Sequence, residues 1–312
     1  MKVAEFRRRW GHAPGLQSAE RQSEKPVGWG ALTPALIRTQ EIANTMHAFE
    51  YIRARSVAEA SAALQADPEA RPLSGGMTLL PTMKMRLAAP SCLIDIARLP
   101  DLQGISLQAD RLRIGAAVRH AQVAADPQVA RALPALAALA AGIGDPQVRS
   151  RGTLGGSVAN NDPAADYPAA VLGLDGIVHT NQRDIAAADF FQGLFSTALA
   201  SAELITAVSF RIPVRAAYAK FAQAASGYAL TGVLLAEYAD GWRVAVTGAG
   251  PGVFQWQTAQ ALLRSNSASP DFHQAAIDEA SLNTDLHAPP AYRAQLMRVM
   301  AAQAFASLSR PS

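Results

Sequence analysis

Hydrophobic and polar positions after Met46 repeat with two different periods, and they predict strands and helices in alternation. Ser56 and Glu59 have the spacing of a capping box at a helix start, and Asp67 with Pro68 ends that helix. The pattern predicts helices at residues 57–66, 79–87, 129–141, 169–174, 257–264, 272–280 and 291–308. It predicts strands at residues 71–73, 93–96, 102–107, 111–118, 203–210, 218–222, 229–238 and 242–247. The last three strands are typical of an antiparallel meander.

A change of rhythm at Pro213 predicts a domain boundary, with domains at residues 46–213 and 214–312. Residues 1–45 have no apolar period, so we expect an N-terminal extension that precedes a natural start at Met46. Its arginines at positions 7–9 invite comparison with a twin-arginine export signal, but polar residues stand where the apolar core of such a signal would follow. Residues 142–168 are rich in glycine and polar residues and too long for an ordinary connection, which is typical of a functional loop.

Composition and charge narrow the possible function. The 312 residues are 50% hydrophobic and 17% charged, which is typical of a globular protein of about two domains. The net charge of +3 belongs to residues 1–45, so the remainder is neutral and predicts no nucleic-acid partner. No apolar run reaches the length of about 18 residues that a membrane span needs. The single cysteine, Cys92, excludes an internal disulfide and a metal cluster held by this chain's thiolates.

Two glycine pairs carry the candidate chemistry. In the segment Ser74–Thr78, a glycine pair lies between a predicted strand and a predicted helix, with a hydroxyl side chain at each end. Such a turn can direct backbone N–H groups at a phosphate, although a glycine pair alone is more often a plain tight turn. The segment Thr153–Ser157 repeats this arrangement. Together the two loops can clamp a diphosphate from both sides.

Downstream carboxylates and scattered histidines are weaker candidates. Asp162 and Asp166 have the spacing of a metal pair, but no histidine or third carboxylate lies near them in sequence. Carboxylates that stabilise a helix start are the simpler interpretation. We therefore expect no metal site and no catalytic residue on this chain.

Both loops resemble those of the FAD-binding medium subunit of the molybdenum hydroxylases, the carbon monoxide dehydrogenase and xanthine dehydrogenase family. The resemblance extends to MHAFEYIRARSVAEA at residues 46–60, to YAKFAQAASGYALTGVLLA at 218–236 and to DLHAPPAYRAQLMRVMAAQAF at 285–305. It implies an α+β fold: a PCMH (vanillyl-alcohol-oxidase-type) FAD-binding domain of two α/β subdomains, then a C-terminal domain with a three-stranded antiparallel sheet and helices.

The resemblance also implies the residues that bind FAD. They are Ser74, Gly75, Gly76, Met77 and Thr78 in the first loop, and Thr153, Leu154, Gly155, Gly156 and Ser157 in the second. Asp166 matches an adenosine-side contact, Leu204 a backbone contact and Lys220 a lysine near the flavin end. Tyr228 is close to where a residue facing the flavin ring is expected.

A role in electron transfer within a complex follows from the same resemblance. It implies a large subunit with the molybdenum cofactor and a small subunit with [2Fe–2S] clusters, in a heterotrimer or a dimer of heterotrimers. This chain would take electrons from those clusters and pass them from FAD to an external acceptor, in the cytoplasm. Two alternatives are a self-sufficient PCMH-type flavin oxidase and an assembly subunit without flavin. The short C-terminal segment argues against the first, and the two intact glycine loops argue against the second.

Overall fold

The computed structural model describes residues 46–308, and the first sheet along this part of the chain is parallel and three-stranded. The predicted extension at residues 1–45 lies outside the described residues. The strands are β1 (Glu50–Arg53), β2 (Arg71–Leu73) and β3 (Cys92–Asp95), with helices α1 (Val57–Ala66) and α2 (Leu79–Lys84), and their order is β1-β3-β2. Parallel strands bring their carboxyl ends to one edge of the sheet. The first glycine loop follows β2 and therefore lies at that edge.

A five-stranded antiparallel sheet forms the second subdomain, in the order β4-β5-β8-β6-β7. Its strands are β4 (Ile105–Gln108), β5 (Arg111–Gly115), β6 (Ile177–Thr180), β7 (Asp184–Ala186) and β8 (Ile205–Arg211). Helices α3 (His120–Ala125), α4 (Pro127–Ala132), α5 (Pro134–Ala141), α6 (Pro146–Arg151), α7 (Leu154–Asn160) and α8 (Tyr167–Gly173) connect β5 to β6, and α9 (Ala187–Phe190) follows β7.

Two predictions in this region need correction. The single helix expected at residues 129–141 is divided at Pro134, because proline has no N–H for the preceding turn and Leu133 leaves the helical conformation. The expected loop at residues 142–168 contains the short helices α6 and α7. Each begins at a side-chain cap, with Asp145 and Thr153 accepting from backbone N–H groups of the first turn.

The C-terminal sheet confirms the predicted meander and adds a short fourth strand. Its strands are β9 (Arg215–Ala222), β10 (Ala229–Tyr238), β11 (Gly241–Thr247) and β12 (Phe254–Gln255), followed by helices α10 (Gln257–Ser265) and α11 (Pro290–Leu308). The helix expected at residues 272–280 is wrong. Two single 3₁₀ turns replace it, because Asp271 and Asp278 each accept from the N–H two residues ahead and stop the helix from propagating.

The C-terminal sheet is buried on both faces, which explains the nearly continuous burial of β10. One face, with Leu234 and Ala245, joins the core around α8, and the other, with Val233 and Leu235, packs with α10 and α11. The core around α8 thus includes residues from both sides of Pro213. The domain boundary predicted at Pro213 stays a prediction. Within residues 46–308, no helix combines the length and apolar character that crossing a membrane requires.

Candidate functional site

The two glycine loops meet at the carboxyl edge of the first sheet. The hydroxyl oxygens of Ser74 and Thr153 are 3.0 Å apart. A Cβ added at Gly75 would lie 2.4 Å from the carbonyl oxygen of Arg151 and 2.8 Å from the Cα of Gly152. Only glycine fits where the loops approach this closely. The loops that the sequence predicted as two sides of one clamp are therefore neighbours in space.

The first loop presents a row of unused backbone donors. Among the described residues, the N–H groups of residues 75–78 donate to no protein acceptor. Gly76 has a φ of +73°, in the left-handed region, and its carbonyl accepts from Leu80 at 3.1 Å as α2 begins. Successive N–H groups in such a turn form a concave nest for an anion. This loop can therefore hold phosphate oxygens without a basic side chain.

The second loop differs from the expectation that both loops offer backbone N–H groups. The N–H groups of residues 154–157 already donate within the chain, which leaves the Thr153 N–H and the Ser157 hydroxyl without a protein partner among the described residues. The bonds run from Leu154 to Val118 O, from Gly155 to Ala116 O, from Gly156 to Thr153 Oγ1 and from Ser157 to Thr153 O, at 2.8–3.2 Å. The second loop therefore offers fewer backbone donors than the first, and a clamp with donors on both sides of a diphosphate stays a prediction.

Different structural features explain the two glycines of the second loop. A Cβ on Gly155 would lie 2.5 Å from the Cβ of Ala116, so packing against the end of β5 requires this glycine. Gly156 is exposed, and a Cβ there would meet only the Thr153 hydroxyl, at 2.8 Å. Protein packing does not explain Gly156. Its open face allows a ligand to approach the backbone closely.

Asp166 and Lys220 form a buried ion pair beside these loops. Asp166 is 4% exposed and accepts from the Tyr218 hydroxyl at 2.6 Å and from Lys220 Nζ at 3.0 Å. The resemblance implied that Asp166 lies on the adenosine side and Lys220 at the flavin end. Their direct contact places both side chains at one point of the site, and the part of FAD that each would contact stays a prediction.

All three donors of the Lys220 ammonium are used by the protein. Besides Asp166, it donates to the carbonyl oxygens of Gly142 at 2.9 Å and Gly227 at 2.8 Å. Burial raises the pKa of Asp166, and the charge of Lys220 and the hydroxyl of Tyr218 oppose that rise. Lys220 therefore joins the end of α5, the start of α8 and the β9–β10 loop into one wall.

Tyr228 brings the β9–β10 loop to the first glycine loop. Burial raises the pKa of its phenol, and the charges of Asp162 and Asp166 raise it further, whereas a hydrogen bond with the Thr78 side chain lowers it. Tyr228, which is 40% exposed, therefore lies next to Thr78 of the first loop and near enough to the two carboxylates to feel their charge. The structure thus gathers the predicted residues of both loops, Asp166, Lys220 and Tyr228 around one site.

Comparisons with known proteins identify the family. A model of the FAD binding domain in molybdopterin dehydrogenase matches residues 47–214. The chain belongs to this family. It is therefore a flavoprotein subunit of the oxidoreductase class with FAD as its cofactor, and the predicted α+β fold is confirmed.

Named relatives and solved structures agree with the molybdopterin dehydrogenase assignment. The chain is 35% identical to the nicotine 6-hydroxylase medium subunit of Paenarthrobacter nicotinovorans over 267 residues, 80% of this chain and 94% of that protein. It is 34% identical to the carbon monoxide dehydrogenase medium chain of Hydrogenophaga pseudoflava, over 74% and 85% of the two chains. Its fold matches the reconstituted CO dehydrogenase of Oligotropha carboxidovorans with a TM-score of 0.79 at 31% identity, over 85% of this chain and 98% of that one.

Leu204 lies differently from the other residues that the family resemblance suggested. Its N–H donates to Asn181 Oδ1 at 2.8 Å, and its carbonyl accepts from the Asn181 N–H at 3.0 Å. Its side chain is buried in the core of the first subdomain. Both backbone groups are thus engaged with Asn181, and a backbone contact of Leu204 with FAD stays a prediction.

His120 is a residue of this FAD-binding domain that the sequence did not single out. It is 4% exposed, and burial lowers its pKa to about 4, with the charge of Arg149 acting in the same direction. A Cβ on Gly152 would lie 2.5 Å from its Nε2, and its ring centroid is 5.3 Å from that of Tyr167. A neutral imidazole therefore supports the second loop from behind. A lone histidine at a helix start gave no signal of this role.

The residues present fit the flavin cofactor of the family. The N–H nest of residues 75–78 suits the diphosphate, and the open face of Gly156 leaves room beside it. Within residues 46–308, no three histidine, cysteine, aspartate or glutamate side chains are grouped to hold a metal ion.

Proposed function

We propose that this chain is the electron-relaying flavin subunit of a heteromeric molybdenum hydroxylase. Electrons reach it from [2Fe–2S] clusters on a small subunit, and a large subunit carries the molybdenum cofactor that oxidises the organic substrate. The complex is a heterotrimer or a dimer of heterotrimers, located in the cytoplasm. Support comes from the relatives, which are named as medium subunits or medium chains.

The row of donors at residues 75–78 is the observation that carries this proposal. These N–H groups bind the FAD diphosphate, with the hydroxyls of Ser74 and Thr153 at the junction of the loops. When bound, FAD accepts electrons and passes them to an external acceptor. Lys220 and Asp166 hold the wall of the site in place, and Tyr228 orients the adjoining part of the cofactor.

A self-sufficient flavin oxidase is the weaker alternative. Such an enzyme needs a titratable group free to take a proton from its substrate. At this site, Asp166 and Lys220 satisfy each other and the Tyr218 hydroxyl donates to Asp166, so none of these three buried groups is free for that role. An assembly subunit without flavin is also weaker, because it has no need for the open face of Gly156.

Purification from the native host tests the proposal. We expect a yellow protein with a flavin spectrum, isolated together with a molybdenum-containing chain and an iron–sulfur chain. A colourless protein that takes up no added FAD would contradict flavin binding. An active flavin oxidase isolated as a single chain would contradict the relay and favour the alternative.

A further inference from the structure

Strand β1 is an uncovered edge of the first sheet. The order β1-β3-β2 leaves one side of β1 without a neighbouring strand in the part of the chain that the structure describes. All four of its residues are exposed, including Tyr51 at 55% and Ile52 at 38%. Parallel sheets are almost always covered on both faces. The adjacent strand β3 follows that rule, since its first three residues are buried.

The free side of β1 presents unpaired backbone groups. The N–H groups of Glu50 and Ala54 donate to Ser91 O at 2.8 Å and Asp95 O at 3.2 Å, so these positions face β3. Because backbone groups alternate along a strand, those of Tyr51 and Arg53 face the other way. Within residues 46–308, β3 is the strand that pairs with β1, so the N–H and C=O groups of Tyr51 and Arg53 are left outside the ladder. Such an edge can accept another strand.

Three arginines surround the carboxyl end of this edge. A depression of about 480 Å³ is lined by Arg53, Arg55, Arg98 and Asp95, together with Ala54, Leu99 and Pro100. Both carboxylate oxygens of Asp95 already accept hydrogen bonds, from the Tyr51 hydroxyl at 2.5 Å and from the Ala97 N–H at 2.9 Å. Glu59 is engaged with the N–H of Arg55 at 2.8 Å. Among the described residues, none of the three guanidinium groups forms an ion pair.

We infer that β1 is the docking edge for an extended acidic segment of a partner subunit, which adds to the sheet as a fourth strand and places carboxylates on Arg53 and Arg98. The inference rests on the heteromeric complex of the proposed function. Main-chain hydrogen bonds supply the pairing, and bidentate guanidinium–carboxylate contacts select the partner.

Charge decides between the possible occupants of this edge. A second copy of this chain would bring its own Arg53 to the same edge, and like charges at an interface oppose association. A strand without carboxylates would leave the three arginines unpaired. An acidic strand complements both the backbone edge and the charge of the depression.

Hydrogen–deuterium exchange gives the most direct test. The peptide that covers residues 50–55 is compared between the chain alone and the purified complex. We expect the amides of Tyr51 and Arg53 to exchange at least about tenfold more slowly in the complex, because a bonded amide exchanges only on opening. Equal exchange in the two states would overturn the inference.

Charge reversal tests the role of the arginines. The double variant Arg53→Glu/Arg98→Glu is coexpressed with the partner subunits, and assembly is measured by size exclusion. The control Arg131→Glu/Arg264→Glu makes the same change in net charge at two exposed arginines elsewhere, in α4 and α10. We expect the first variant to weaken assembly by about tenfold or more while keeping its FAD, and the control to assemble normally. Equal assembly of both would overturn the inference.

A proline substitution tests the backbone pairing separately. Tyr51→Pro removes an N–H that faces away from β3, so the ladder within the sheet is kept. Tyr51→Val loses the same hydroxyl but keeps the N–H, and is the matched control. We expect Tyr51→Pro to weaken assembly and Tyr51→Val to assemble normally. If the wild-type complex forms and both variants assemble equally, the docking edge is wrong and the relay function stands. If the wild-type chain forms no complex, the docking edge and the relay function are both wrong.

Discussion

At the scale of single residues, the adjacent glycines of the second loop have different roles, one in packing and the other in ligand binding. Gly155 packs against Ala116, whereas Gly156 has an open face. We expect Gly156→Val to lower the FAD content of the purified protein at least about tenfold while the apoprotein stays folded. Gly155→Val overpacks the core and costs about 1–3 kcal/mol of unfolding free energy. The ratio of flavin to protein and the thermal unfolding of both apoproteins check this. Normal flavin content in Gly156→Val would contradict the proposed binding loop.

Lys220→Met tests the buried ion pair through its pH dependence. Without the ammonium, Asp166 becomes an unpaired buried carboxylate, and we expect a loss of about 3–5 kcal/mol in unfolding free energy near neutral pH. Burial raises the folded-state pKa of Asp166 above its unfolded value, so protonation favours the folded state. The deficit therefore shrinks as pH falls towards the unfolded pKa of about 4. Urea unfolding at several pH values measures it.

Asp166→Asn is the control for that prediction. The amide cannot carry the unpaired charge, so the double variant Lys220→Met/Asp166→Asn should regain part of the lost stability and lose the pH dependence. A deficit in Lys220→Met that does not vary with pH would show that lost packing, and not the buried charge, causes the destabilisation.

Local pattern explains which site residues could be predicted from the sequence. Gly75, Gly76, Gly155 and Gly156 were visible because a glycine pair flanked by hydroxyls is a local signal. Neither the role of His120 nor the ion pair of Asp166 with Lys220 was visible. Those contacts depend on residues that are distant in sequence, and only the packed structure defines them.

Secondary-structure elements show the same division between local and tertiary causes. The helix α1 was predicted at its observed limits, because Ser56 and Glu59 cap it locally. The helices α6 and α7 were missed, since each has only six or seven residues and is stabilised by a cap and by tertiary contacts. The glycine-rich and polar composition of residues 142–168 made the segment resemble a loop, and Gly144, with a φ of +48°, forms the turn before α6.

Asn161 links two elements and gives a prediction at that scale. It ends α7 with a left-handed φ of +44°, and its Nδ2 donates to Gly193 O at 2.8 Å and Ser196 O at 2.7 Å. Asn161→Gly keeps the backbone conformation and removes only the amide, so we expect faster cleavage by protease at residues 192–197. Asn161→Ala adds backbone strain of about 1 kcal/mol or more, which lowers the unfolding temperature further. Unchanged proteolysis in Asn161→Gly would contradict this anchoring role.

At the scale of the molecule, as far as residues 46–308 describe it, the C-terminal sheet packs on α8 of the second subdomain. The methyl groups of Leu234 approach Gly173 of α8 so closely that a Cβ on that glycine would lie 2.5 Å away. Leu235, the next residue, points to the opposite face and packs with the core of α10 and α11. Because α8 begins beside Asp166, its position fixes the wall of the site, and loss of packing at Leu234 reaches the flavin.

Leu234→Ala and Leu235→Ala are therefore a matched pair on the two faces of β10. Each removes a fully buried side chain and costs about 2–5 kcal/mol of unfolding free energy. We expect both to lower the unfolding temperature by about 5–10 °C, but only Leu234→Ala to weaken FAD retention in the folded protein. Flavin fluorescence and far-ultraviolet circular dichroism, followed on one sample, separate cofactor release from unfolding. A coupling through α8 would be contradicted if Leu235→Ala released FAD well before it unfolds. It would also be contradicted if neither variant released FAD before unfolding.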